Sequence, residues 1–356
     1  MVKKYRVFVS YSHKDSEKVK KIVQVLQENG LWAMWDENFS YGSGFHEQIK
    51  KFIACSHIFM PFITSESSTR GWVHQEIGYA TALNIPVLPI TFDQLPGEML
   101  QHLLAVSYTD NIEELKTRLA IGTFEKLVNT AQKTSRPQYI CAELPEDRTD
   151  VMIEYATMVL DLGYHGLVRQ KGGLSSFHIP DKLIEHNAWH DRYGDQYRAN
   201  RCRMQRQERQ ILEKHAIQEG CRLIVNPYID YSPYGPQARE VRLSELIDFL
   251  NSSSANIEIV AVRPKRAADH LTIVGDWFSA QAIAATIGEG IQHTIFTRHA
   301  PSIESLIEIF DEEFNQYLTD LGIASVNSKQ VALEILGREL EITKQKSRKE
   351  MRNRKP

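Results

Sequence analysis

The chain has 356 residues, 42% of them hydrophobic and 24% charged, with a formal net charge of −3. This is the make-up of an ordinary globular protein, not of a disordered or fibrous one, and its length predicts about two domains, because single cores stop growing near ~250–300 residues. The near-neutral charge excludes a global affinity for nucleic acid or anionic membrane.

The basic stretch EITKQKSRKEMRNRKP at the end reads as a solubilising tail. Cys55, Cys141, Cys202 and Cys221 are scattered, with no CxxC pair and no histidine at zinc-ligand spacing. They read as free thiols of a reducing compartment, and no metal site is expected. The start, MVKKYRVFVSYS, has no apolar segment of signal-peptide length, and no run approaches ~18 apolar residues. A cytoplasmic protein with no membrane partner is expected.

KYRVFVS predicts a first strand, which breaks at YSHKDSEK. There Asp15 or Ser16 can cap a helix with Val19, Ile22, Val23 and Leu26 on its apolar face, and Asn29-Gly30 ends it. LWAMWD predicts a second strand, NFSYGSG a loop, and FHEQIKKFIAC a helix with Phe45, Ile49, Phe52 and Ile53 inward. HIFMPFIT is apolar on both faces, the mark of a central strand in a parallel sheet. WVHQEIGYATAL and IPVLPITF supply the next helix and strand. Such alternation predicts a doubly wound parallel sheet, with ligands outside the carboxyl ends of its strands.

FVSYSHKDS after the first strand, WDENFSYGSGFHEQI after the second and WVHQEIGYATALNIPVLPI on the following helix and strand resemble the Toll/interleukin-1 receptor (TIR) domain. The resemblance covers roughly residues 3–110, and WVHQEI is most similar to TIR domains that cleave NAD, including bacterial immune effectors. It implies a flavodoxin-like fold and NAD+ as a substrate, with no other cofactor. Nicotinamide is already a cation in NAD+ and leaves as a neutral molecule, so no general acid is needed. One carboxylate can stabilise the oxocarbenium-like ribose and position its hydroxyls.

The resemblance assigns that carboxylate to Glu76. Trp72, four residues earlier, shares its helix face and either stacks on a substrate ring or fills the core. Ser10, Tyr11 and His13 lie in the turn that faces the nucleotide in related enzymes. His13 or Lys14 stands near the place where those enzymes often carry an arginine. Trp35, Asp36, Phe39 and Tyr41 belong to the segment implied to act as a lid and as a contact between neighbouring TIR domains, where Gly42 and Gly44 permit backbone excursions. His46 and His74 have no evident partner and receive no role.

The pattern stays helical from Leu115 to Thr134, and SRPQ at 135–138 marks a boundary. The expected domains are 1–134, the TIR domain with a trailing helix, and 135–356, a second α/β domain for sensing or assembly. In the latter QYICAEL starts a strand, DVMIEYATMVLDLG is an amphipathic helix, VRQKGGLSSFHIPD reads as a loop, and a long helix runs from about Tyr197 to Glu219. CRLIVNPY, LSELIDFLN, NIEIVAVR and HLTIVGDWFSAQAI continue the alternation. The stretch from RAADHLTIVGDWFSA to SLIEIFDEEFNQYL faintly resembles degenerate phospholipase-D-like domains. Thr272 replaces the lysine expected two residues after His270, although Asp276 is present, so neither His270 nor His299 is expected to be catalytic. The leading expectation is an NAD+ glycohydrolase or ADP-ribosyl cyclase of antiviral defence. It would act as a homo-oligomer through TIR–TIR contacts, triggered by an unknown ligand or partner of the second domain. The alternative is a non-catalytic TIR adaptor.

Overall fold

RVFVS forms strand β1, Arg6–Ser10, and IFMPFI forms β3, Ile58–Ile63; every residue of both is buried. In this computed structural model the described residues are 5–35, 45–65, 67, 71–92, 105–134, 139–173, 190–229, 238–263, 270–284 and 291–353. The chain divides into two compact units, Met1–Pro137 with Asp161–Gly163, and Gln138–Leu160 with Tyr164–Pro356.

In the first unit β1 and β3 are joined by β2 (Trp32–Met34), β4 (Ile90–Thr91) and β5 (Val106–Ser107) in one parallel sheet of order β2-β1-β3-β4-β5. This is the flavodoxin-like order, whose switch point falls between β1 and β3. The helices are α1 (Ser16–Glu28), α2 (Phe45–Cys55), α3 (Gly71–Ala82), α4 (Ile112–Arg118) and α5 (Ile121–Thr134). Alternation along β1 feeds two cores. Val7 and Val9 join a cluster with Val19, Ile22 and Leu26 of α1 and Phe124 of α5. Phe8, on the opposite face, stacks on Phe52 of α2 at 5.4 Å.

Several local expectations change. Asp15 makes no side-chain cap hydrogen bond to α1, because a 3₁₀ turn over His13–Asp15 runs straight into the helix and the Asp15 N–H donates to Ser12 O. The α1 stop is as read, with Gly30 at φ +79°. IPVLPITF yields only the two-residue β4 and a bridge from Val87 to Phe59, since Pro86 and Pro89 carry no N–H for the ladder. Their carbonyls still accept, from Phe59 and Val106 respectively. The helical stretch after Leu115 is two helices, and Asn111 caps the first through the N–H groups of Glu113 and Glu114.

The second unit holds a seven-stranded mixed sheet of order β6-β12-β11-β10-β7-β8-β9. Its strands are β6 (Tyr139–Ala142), β7 (Val168–Gly172), β8 (Cys221–Val225), β9 (Ile257–Ala261), β10 (His270–Val274), β11 (Phe278–Ala284) and β12 (Ile291–Thr297). β7, β8 and β9 are parallel and the remaining pairs antiparallel. Its helices are α6 (Pro145–Asp161), α7 (His190–Glu219), α8 (Ala238–Ser252), α9 (Ala300–Leu321) and α10 (Ser328–Asn353).

VRQKG, expected in a loop, is the buried inner strand β7. Arg169 makes a two-pronged bond to Asp311 of α9 at 2.9 and 2.8 Å, and Lys171 donates to Glu313 at 2.6 Å. Arg222 on β8, in register with Arg169, reaches Glu258 on β9 and Asp311. The buried charges are therefore paired. HLTIVGDWFSAQAI is a β-hairpin, β10 to β11, and its tight turn contains Gly275 at φ +53°.

The two edges of this sheet differ. At β9 the Ile259 N–H donates to the Ser328 hydroxyl at 3.2 Å, at the start of α10. At β6 the residues Tyr139, Ile140 and Cys141 are exposed. Among the described residues no helix is long and apolar enough to cross a membrane.

Candidate active site

β1 and β3 end side by side at the switch point, the place where open α/β sheets bind ligands. Ser10 closes β1. Its hydroxyl donates to Glu76 Oε2 at 2.6 Å, across 66 residues of chain, and both side chains are 7% exposed.

Glu76 is there because of helix periodicity. On α3 the buried positions are Val73, Glu76, Ile77 and Ala80, one stripe at three- and four-residue spacing. A carboxylate thus occupies a position that packing alone would fill with an apolar residue. Burial pushes its pKa up to about 7, opposed by the Ser10 hydroxyl, which favours the ionised form. Among the described residues Ser10 is the one group supporting that form. A desolvated carboxylate with so little compensation gains most from a cation placed beside it.

The other sequence-derived residues fall into separate groups. Trp72, one turn before Glu76, is partly buried. Tyr11 and Trp35 lie 6.3 Å apart, centroid to centroid, and pack with the α1-side cluster that includes Val9. His13, exposed, meets the Tyr11 ring at 6.2 Å. Ser10 and Glu76 thus form one pair, and His13, Tyr11 and Trp35 a ring series rooted in the core on the other face. Asp36, Phe39 and Tyr41 lie outside the described residues.

Sequence reading missed the turn that follows β3. Ser67, fully buried, accepts from the Thr64 N–H at 2.7 Å and donates to Phe62 O. The Thr64 hydroxyl reaches Asp15 Oδ2 at 3.4 Å, linking the loops after β1 and β3. The TSES string carried the hint, since Ser and Thr there can replace backbone partners in a turn.

Among the described residues no group of three or more His, Cys, Asp or Glu could hold a metal ion. In the second unit His299 sits at the start of α9, with Nδ1 2.8 Å from the Ser302 hydroxyl. Thr272, in the lysine position of the phospholipase-D-like pattern, accepts from Gln170 Nε2 at 3.2 Å.

Residues 7–120 match the TIR domain family, and this part of the chain is a TIR domain. No curated protein matches the chain.

Proposed function

With a TIR domain as the premise, we propose that the first unit cleaves the nicotinamide–ribose bond of NAD+, with Glu76 as its catalytic carboxylate. The observation that supports this reading is the buried Glu76, held by Ser10 at the sheet's switch point and left without a cationic partner among the described residues. As nicotinamide departs with the bonding electron pair, positive charge grows on the ribose C1 and ring oxygen. An ionised Glu76 beside the ribose stabilises that charge and orients the sugar hydroxyls. Water captures the cation to give ADP-ribose and a proton; capture by an adenine nitrogen gives a cyclic product.

In this reading Trp72 covers a planar ring of the substrate, and Ser10, Tyr11, His13 and Trp35 line the path of the dinucleotide. Copies of the TIR domain associate, and the second unit answers a signal that brings them together, as in an antiviral effector of the cytoplasm. The test is nicotinamide release from NAD+ by the full chain, beside Glu76→Ala and Glu76→Gln. A loss of at least ~100-fold in both variants is expected, the scale of removing one electrostatic stabiliser. Equal release by all three proteins sinks the assignment, and the masses of the products identify the nucleophile.

A further inference from the structure

We propose that strand β6 is a self-association edge, which pairs antiparallel with β6 of a second copy of this chain and joins two second units into one sheet. Edge strands present unpaired backbone groups, and proteins ordinarily blunt them with charge, proline, bulges or a covering element. The far edge of this sheet is treated that way, since Ser328 takes the Ile259 N–H and α10 starts there. Among the described residues β6 has none of these devices. It reads Tyr-Ile-Cys-Ala, without charge or proline, and Tyr139 is 55% and Ile140 43% exposed, with Leu144 just beyond at 58%. Among the described residues only β12 pairs with it.

The sequence around β6 selects a second copy as its partner. In the sequence Arg136 stands before the strand, and Glu143, Glu146 and Asp147 stand after it. An antiparallel copy brings the basic flank of one chain to the acidic flank of the other, twice, whereas a parallel neighbour sets like charges together. A two-fold axis normal to the sheet sets one residue opposite its own copy. With Ile140, Cys141 or Ala142 at that centre, the two Cys141 side chains lie on one face, about 5–9 Å apart. Four residues form a small contact, so the pairing is weak and concentration-dependent.

This inference stands apart from the catalytic reading, because it is tested without NAD+. Sedimentation velocity of the full chain over roughly 1–200 μM, the range of weak specific association, is expected to show monomer passing to dimer. Ile140→Lys and Tyr139→Lys are each expected to shift that transition at least tenfold upward, while Ile140→Val follows the wild type. A short bis-maleimide, which alkylates one thiol at each end, is expected to yield a covalent dimer that Cys141→Ser abolishes. A wild type that stays monomeric and uncross-linked throughout overturns the proposal. So does a dimer that both lysine variants form at wild-type concentrations, which assigns the contact to another surface such as the TIR domain.

Discussion

At the scale of single residues the chemistry turns on Glu76 and Ser10. The folded pKa of Glu76, about 7, lies above the ~4.3 of an unfolded glutamate, so the folded state holds this proton more tightly. The carboxyl therefore costs nothing below pH ~4, and the cost grows as pH rises to about 7, reaching ~4 kcal/mol above it. Glu76→Gln should raise the melting temperature at pH 8 and leave it unchanged near pH 4, as calorimetry at the two pH values will show. If ionised Glu76 is the working form, kcat/KM for NAD+ should climb with pH through an inflection near 7. Ser10→Ala removes the hydroxyl that favours ionisation and should move the inflection upward, while Ser10→Thr restores it. The i, i+4 spacing in the sequence places Trp72 and Glu76 on one side of a helix. Only the structure adds that Glu76 lies in the buried stripe with Val73, Ile77 and Ala80. Ser10 was legible as part of a turn, but its partner is 66 residues away and no local pattern announces it.

At the scale of elements, legibility followed the range of the stabilising contacts. β1, β3, α1 and α3 could be read because their own apolar residues carry the signal. β7 could not, because its Arg169 and Lys171 are neutralised by Asp311 and Glu313, each 142 residues later. Burial alone would raise the pKa of Asp311, but the hydrogen bonds and charges of Arg169 and Arg222 outweigh it and hold the group below the usual range. That contribution is complete above the unfolded value of ~3.9 and fades as pH falls through the lower folded one. Asp311→Asn removes the carboxylate on Arg169 and one of the two on Arg222, whose Glu258 remains, and should cost about 2–3 kcal/mol at pH 7, less than a fully buried pair because Asp311 keeps a quarter of its surface. Urea midpoints of variant and wild type should begin to draw together only below pH ~4 and meet below the lowered folded value. A separate prediction concerns the close approach of Gly166 to the β10–β11 turn, where an added Cβ would meet Gly275 N at 2.6 Å. Both partners are backbone, so Gly166→Ala should destabilise by about 1–3 kcal/mol in the same measurement.

At the scale of the whole molecule there are two α/β units; the first break falls at Pro137–Gln138, within the SRPQ string, and Asp161–Gly163 returns to the first unit. If TIR domains work in proximity, specific activity should rise with enzyme concentration. Ile140→Lys should then lower activity at low concentration more than at high, whereas Glu76→Ala abolishes it at all concentrations. Progress curves at enzyme concentrations spanning a hundredfold will separate the two behaviours.

The hydrogen bond from Ile259 to Ser328 has a consequence for stoichiometry. A sheet with both borders open adds copy after copy and grows into a fibre. With α10 packed along one border, each sheet has a valence of one, so the two-fold pair closes and growth stops at two. Ser328→Gly frees that one N–H but leaves α10 packed along β9, so the species to look for is still a dimer.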